Sequence, residues 1–260
     1  MHLEISATTL DIEPHLYQCL RYARRFCKKI SVVVELGAND CVETVGFAQE
    51  LPSARIFTFE CNPDTLPICR ERVRPYKNIR LMEVAVGEEA GVIDFYKTAR
   101  TAEDWNTGAS SRFRINASLV ELAQEKIQVP MTTLKQALAP HKVEHIDILW
   151  MDLQGGELGA LKGLGEELLG NTTLIFTEVE HVPLYEGQPL FRDVRKYLEK
   201  RGFRLLTYAN LGRNFNDVIF INERVHRPLL PAWLIIGYFT AKERVTGKLR
   251  VIRQRVNKRL

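Results

Sequence analysis

The chain has 260 residues, 45% of them hydrophobic and 26% charged, with a formal net charge of +4. That is enough apolar material for one large core, and it excludes global disorder. Five cysteines, Cys19, Cys27, Cys41, Cys61 and Cys69, are odd in number and lack any C-x-x-C pair. A disulfide framework and a zinc knuckle are thereby disfavoured, reduced thiols are expected, and with no signal-peptide pattern at the start the expected compartment is the cytoplasm.

In chain order, Leu16, Leu20, Ala23 and Cys27 recur at helical spacing within residues 12–29, which end in Lys28–Lys29, as helix C-termini favour. Residues 30–36 form a β-branched run of the kind buried on both faces of a parallel sheet. A helix is expected over 42–51, a strand over 55–59, a helix over 61–73, and strands over 80–86 and 92–96. Residues 98–117, polar around Trp105 and Ser110–Ser111, form the longest irregular stretch, either a slack connector or a lid. Further on, strands are expected over 146–151 and 173–179 with one helix over 157–169 between them. A helix over 190–201 and a hairpin of 203–208 with 217–222 complete the reading. Repeated strand–helix alternation predicts an α/β fold with a mostly parallel sheet covered by helices on both faces.

The run Ser31–Leu36 leads into Gly37-Ala38-Asn39-Asp40 and then a helix. Ligands of open parallel sheets bind beyond the carboxyl ends of the strands, where helix N-termini point. Gly37 allows a tight turn and close approach, and Asn39 tolerates a left-handed backbone. Glu60 closes the next strand, placed to accept ribose hydroxyls. A dinucleotide motif needs three glycines, but its positions here read Gly37, Asn39 and Val42. Glu35 and Asp40 would repel a pyrophosphate and attract a cation. A positively charged nucleoside, of which S-adenosylmethionine is one, therefore fits better than a dinucleotide. The plainer reading makes Gly37 a turn glycine and Glu60 a solvated strand end.

A second constellation follows the strand 146–151: Asp152-Leu153-Gln154-Gly155-Gly156-Glu157. The next strand delivers Glu178, Glu180 and His181 to the same sheet edge. Methyl transfer to a hydroxyl needs in-line positioning and a general base or a metal. Asp152, His181 and Glu178 are the candidate catalytic residues, and no metal site is assigned. In the plainer reading Asp152 caps the following helix and His181 is an ordinary loop residue.

With these residues in place, the chain resembles the FkbM-type methyltransferases. The resemblance rests on Val34-Glu35-Leu36-Gly37-Ala38-Asn39, Phe57-Thr58-Phe59-Glu60-Cys61-Asn62-Pro63, Ala85-Val86-Gly87 and Gly108-Ala109-Ser110-Ser111. It continues through Val129–Leu134, Asp147–Glu157 and Leu161-Lys162-Gly163, in family order over residues 31–222. It implies a Rossmann-like class I methyltransferase fold, with a seven-stranded sheet whose last strand is antiparallel. It also implies S-adenosyl-L-methionine as cofactor, and transfer usually to oxygen of a sugar, glycan or secondary metabolite. By position, Glu35, Gly37, Asn39 and Glu60 would hold the cofactor, Val84 and Ala85 would lie near the adenine, and Asp152 near the methionine end or the acceptor. Three departures stand out: Cys41 and Val42 where a further glycine is frequent, Cys61 in place of a proline, and Trp150 in place of a lysine.

The basic charge is concentrated at the end. Residues 242–260 carry eight Lys and Arg against one acid, leaving the body mildly acidic and giving no reason to expect nucleic acid on it. Val245, Leu249, Ile252, Val256 and Leu260 form an apolar stripe, as on a helix lying at an anionic membrane surface on the inner face. Packing against the domain or a second copy, and a merely solvated end, are the alternatives. The segment Leu229–Phe239 is too short and too interrupted by proline to span a bilayer. The expected organisation is a Rossmann-like domain over 1–222, with its N-terminal helix, and a basic helical appendage over 223–260. Two rival readings are a nicotinamide-dependent oxidoreductase, and a non-catalytic module that presents the tail to membrane or nucleic acid.

Overall fold

The computed structural model describes residues 14–98, 107–210, 212 and 214–225. The chain divides into one compact unit, Met1–Val225, and a second, His226–Leu260. The second unit lies outside the described residues, and with it the tail helix and the 229–239 segment; so do Trp105 and the start of the N-terminal helix.

Seven strands form the main sheet in the order β3-β2-β1-β7-β8-β10-β9, where β1 is Val32–Leu36, β2 Arg55–Phe59, β3 Ile79–Met82, β7 Ile146–Met151, β8 Thr172–Glu180, β9 Phe203–Tyr208 and β10 Phe215–Asn222. The pairings are parallel from β3 through to β8. Strand β10 is antiparallel to both β8 and β9. This is the class I methyltransferase order, with the last strand reversed. The central strands are apolar on both faces because helices cover both. Every residue of β1 and β7 is buried, which is why an unbroken β-branched run, not an alternating one, marks them in the sequence.

Helices α1 (Pro14–Phe26), α2 (Val42–Glu50), α3 (Leu66–Val73), α5 (Glu157–Leu164) and α7 (Phe191–Glu199) supply the flanking layers. One core joins β1, β2, β7, β8 and β10 to α5 and α7 through Leu36, Phe59, Leu149, Leu161, Leu198 and Phe220. Trp150, the departure from the family pattern, stacks on Phe176 at 3.7 Å and meets the edge of Phe47 at 5.6 Å, so it is a core aromatic.

Four sequence expectations are corrected. The single strand expected over 80–86 is two: β3 stays in the main sheet, and β4 (Ala85–Val86) joins a separate three-stranded sheet ordered β4-β6-β5. There β5 is Gly91–Thr98 and β6 is Gln124–Thr132. Strand β6 was not expected, because its residues are mostly polar, contain Pro130, and leave one side half in solvent. A short helix, α4 (Leu134–Leu138), follows it, started by the Thr133 hydroxyl accepting from the Gln136 N–H. The helix expected over 157–169 breaks at Gly165, whose φ of +81° no helix accommodates, into α5 and α6 (Glu166–Gly170). The helix expected from residue 61 begins at Leu66 instead, because the Asn62 side chain accepts from the Asp64 N–H and turns the chain first.

Candidate active site

A cavity of about 610 Å³, its open mouth included, lies beyond the carboxyl ends of β1, β2 and β7. Gly37 and Asn39 from the β1 loop, Glu60 to Asn62 from the β2 end, Val84 to Val86 with Phe95 from the small sheet, and Asp152 to Gln154 from the β7 loop line it. Thr107, Gly108 and Ser110 form its roof.

Local chemistry places each wall. Gly37 sits at φ +78°, and a Cβ there would stand 1.8 Å from the Asp152 carbonyl oxygen. The β1 and β7 loops thus meet backbone to backbone, with the Asp152 N–H donating to Leu36 O at 3.0 Å. Asn39 (φ +49°) and Cys41 (φ +62°) are both left-handed. Cys41 is buried beside Cys69, whose thiol donates to Asn39 O at 2.9 Å. Five of the loop N–H groups are spent internally. Those of Gly37 and Ala38 donate to Phe59 O, that of Asn39 to Glu60, that of Cys41 to Ala38 O and that of Val42 to Asp40.

Glu60 is buried, and its carboxylate accepts three backbone N–H bonds, from Asn39 at 2.7 Å, Cys61 at 2.8 Å and Asn62 at 2.6 Å. Burial pushes its carboxyl up, while those three donors pull it back. Roof and walls are tied together. Thr107 Oγ1 donates to Asn39 Oδ1 at 2.7 Å, Asn62 Nδ2 to Ser110 Oγ at 3.3 Å, and Ser111 Oγ to the Gln154 carbonyl at 2.8 Å.

Beside Asp152 lies a polar cluster. The Gln154 amide donates to Asp152 Oδ1 at 2.7 Å and to Glu178 Oε1 at 2.8 Å. The Tyr185 hydroxyl reaches Gln154 Oε1 at 2.6 Å and Ala109 O at 3.1 Å. Burial, and then mutual repulsion, raise every carboxyl of the group. Asp152 is pushed up to about 6, Glu180 to about 9 and Glu178 to about 10. Asp152 is thus the member most readily ionised near neutral pH. Glu157 is used differently: it starts α5, accepting the Leu153 N–H at 2.8 Å. Among the described residues no group of three or more His, Cys, Asp or Glu side chains is arranged to hold a metal.

Of the residues singled out in the sequence, Gly37, Asn39, Glu60, Val84, Ala85 and Asp152 lie in the cavity wall. Glu178 joins them at one remove, through Gln154. Two do not come to the cavity. Glu35 is 1% exposed on the opposite face of β1, where its carboxyl accepts from the hydroxyls of Thr44 and, at 2.9 Å, Thr58. Desolvation pushes it up to about 8. His181 is exposed at the sheet rim, with its Nε2 2.5 Å from Asn216 Oδ1 and its ring against Phe191. Asn62, Phe95, Gln154 and Tyr185 were not singled out. The first and third stood inside the quoted motifs, but Tyr185 follows β8 with no motif around it.

Residues 35–205 match the Methyltransferase FkbM domain. The chain is 34% identical over 200 residues to the 2-O-methyltransferase NoeI of Sinorhizobium fredii (strain NBRC 101917 / NGR234), covering 75% of this chain and 80% of that relative. Among solved structures, the METTL16 methyltransferase domain aligns with a TM-score of 0.49 at 9% identity, over 85% of this chain and 71% of that one. The precorrin-6y C5,15-methyltransferase of Geobacter metallireducens GS-15 aligns with a TM-score of 0.43 at 12% identity, over 84% and 94%. The fold assignment rests on the strand order above and not on these two. Strand order, the domain match and the relative together make the protein a methyltransferase dependent on S-adenosylmethionine, and the chain belongs to the FkbM methyltransferase family.

Proposed function

We propose that the protein methylates a hydroxyl oxygen of a sugar, glycan or secondary-metabolite acceptor, with Asp152 as the general base. The observation that carries this reading is a half-buried carboxyl lining the cavity and hydrogen-bonded on into the Glu178 and Tyr185 cluster. The relative's name, a 2-O-methyltransferase, supports oxygen as the atom methylated.

The cavity fits the cofactor on its own chemistry. With the N–H groups of Gly37, Ala38, Asn39, Cys41 and Val42 all donating inside the protein, most of the loop donors that would cradle a pyrophosphate are already engaged. That disfavours a nicotinamide dinucleotide and leaves a phosphate-free nucleoside. Glu60 accepts three backbone bonds with two oxygens that offer about four lone-pair sites, and a ribose hydroxyl would share or take over the remaining one, where the Thr65 hydroxyl is the competing donor. Phe59, Val84, Ala85, Val86 and Phe95 give an apolar wall suited to adenine. In this reading Gly37, Asn39, Glu60, Val84 and Ala85 hold the nucleoside and Asp152 faces the reacting end.

When bound, the cofactor supplies an electrophilic methyl group on a sulfonium. The chain's part is to exclude water beneath the 107–110 roof, to orient the acceptor, and to take the hydroxyl proton on Asp152. An ionised carboxylate whose affinity for a proton lies near the working pH is suited to that transfer. The test pairs calorimetric titration of S-adenosylhomocysteine with transfer of a labelled methyl group to a panel of sugars. Glu60→Ala is expected to weaken binding about 30-fold, the equivalent of one hydrogen bond to a charged group. Asp152→Asn is expected to bind normally and to transfer at under about 1% of the wild-type rate. Unchanged affinity in the first variant would mean that the ribose lies elsewhere. Rapid transfer in the second would remove the base.

A further inference from the structure

Gln154 occupies an unusual position in the cluster. Its backbone is left-handed, at φ +51°, a conformation that costs a non-glycine residue about 1 kcal/mol or more. Ser111 Oγ, donating to the Gln154 carbonyl at 2.8 Å, holds it there. Gly155 follows at φ +96°, packed against the Gln188 side chain.

An amide has two unlike ends, and here the neighbours dictate which end points where. Tyr185 remains a protonated phenol, because burial and then the surrounding carboxylates raise it further above its ordinary value. A phenol in that state donates, and the Tyr185 hydroxyl lies 2.6 Å from Gln154 Oε1. The amide nitrogen faces the other way, and both its hydrogens are used, one on Asp152 and one on Glu178. Turned over, the amide would set its oxygen against the Asp152 carboxylate and give up its donation there.

We propose that Gln154, oriented by Tyr185, is a positioning residue that keeps the Asp152 carboxylate ionised and fixed for its proton-accepting role; this rests on Asp152 being the base. Among the described residues, the groups around that carboxylate are themselves mostly acids, and His15 lies 4.0 Å from the outermost of them, Asp217. The carboxylate faces Glu157 of α5, Glu178 and Glu180 of β8, Asp217 of β10 and the Tyr185 phenol. Burial raises the Asp152 carboxyl, and of these groups Asp217 repels its carboxylate directly. Against them stand the hydrogen bonds from Gln154, through its side chain and its backbone, both of which favour the ionised form. The Gln154 amide thus does for Asp152 what a lysine would do elsewhere, without a charge that would repel a sulfonium.

The experiment follows the Asp152 carboxyl itself. Full-length protein carrying ¹³C at its aspartate side-chain carboxyls is titrated by NMR, and the Asp152 signal is identified by its loss in Asp152→Asn. Gln154→Leu removes both side-chain donors, and is expected to raise the proton affinity of Asp152 roughly tenfold. Tyr185→Phe frees the amide to turn, and is expected to move the midpoint in the same direction by about threefold. Should Gln154→Leu not fold, Tyr185→Phe alone decides, since it deletes one atom. A midpoint that stays put or falls in the folded variants, with Asp152→Asn inactive, overturns the positioning role and leaves the base assignment standing. Methyl transfer that survives in Asp152→Asn overturns both.

Discussion

Replacing Gly37 by alanine tests how the two halves of the site meet. The new Cβ would stand 1.8 Å from the Asp152 carbonyl oxygen and 2.9 Å from its carbon, both well inside contact distance. Neither partner is a flexible side-chain end. The β1 and β7 loops must therefore part by more than about 1 Å, against the Asp152 N–H to Leu36 O bond that holds them. The φ of +78° adds about 1–2 kcal/mol for any residue with a Cβ, and overpacking a tight contact adds about 1–3 kcal/mol. Together these give a loss of about 2–5 kcal/mol, or a melting temperature lower by roughly 5–15 °C for a domain of this size. Differential scanning calorimetry measures it. Gly91→Ala serves as the control, since no atom lies within 4 Å of its added Cβ. In the same samples the affinity for S-adenosylhomocysteine should fall at least about tenfold, because Asn39 and Asp152 move with their loops. A Gly37→Ala protein that melts within about 2 °C of the control would refute the contact and the argument built on it.

Other expectations follow from the buried carboxyls and the core. Glu35 carries a proton affinity raised from the ordinary 4.5 to about 8, so its contribution to stability is complete below about pH 4.5 and is lost as pH rises toward 8. Glu35→Gln, which keeps the shape and cannot ionise, should therefore match the wild type in melting temperature near pH 5 and exceed it at pH 8. Glu178, pushed up to about 10, is already neutral at pH 7. Glu178→Gln should accordingly leave S-adenosylhomocysteine affinity within about twofold of wild type by calorimetry, whereas an ionised Glu178 would make the change larger. Leu149→Ala removes a fully buried side chain from the central strand, and should cost about 3–4 kcal/mol in denaturant unfolding with the cofactor site otherwise intact.

The strands that carry the site were legible because burial on both faces imposes a continuous apolar run. Ile146–Met151 and Arg55–Phe59 fall where that pattern puts them. Strand β6 was not legible, since a strand with one side half in solvent, interrupted by a proline, has no such run. The division of 80–86 between two sheets depends on where Glu83 turns the chain, which periodicity does not encode. Within the site, the glycine loop, Glu60 and Asp152 carried their own signal as strand-end residues in strand–loop–helix units. Glu35 was expected beside the cofactor, whereas its carboxyl turns to the hydroxyls of Thr44 and Thr58. His181 sits at the expected sheet edge but one position beyond β8, and turns outward to Asn216. Tyr185 had no signal at all, because its role comes from a contact with residues 31 and 76 positions away.

The three backbone N–H bonds to Glu60 carry a thermodynamic consequence. Two come from its own loop and one from the neighbouring loop at Asn39, so the carboxylate is oriented before any nucleoside arrives. Thr107 and Ser110 tie the roof to the same two loops through Asn39 and Asn62. Little ordering entropy is then left to be lost on association, and the free energy of the ligand's own contacts passes into affinity without a folding tax. The heat-capacity change on binding should accordingly match burial of the adenine and the Phe95 wall alone, without the excess that marks coupled folding.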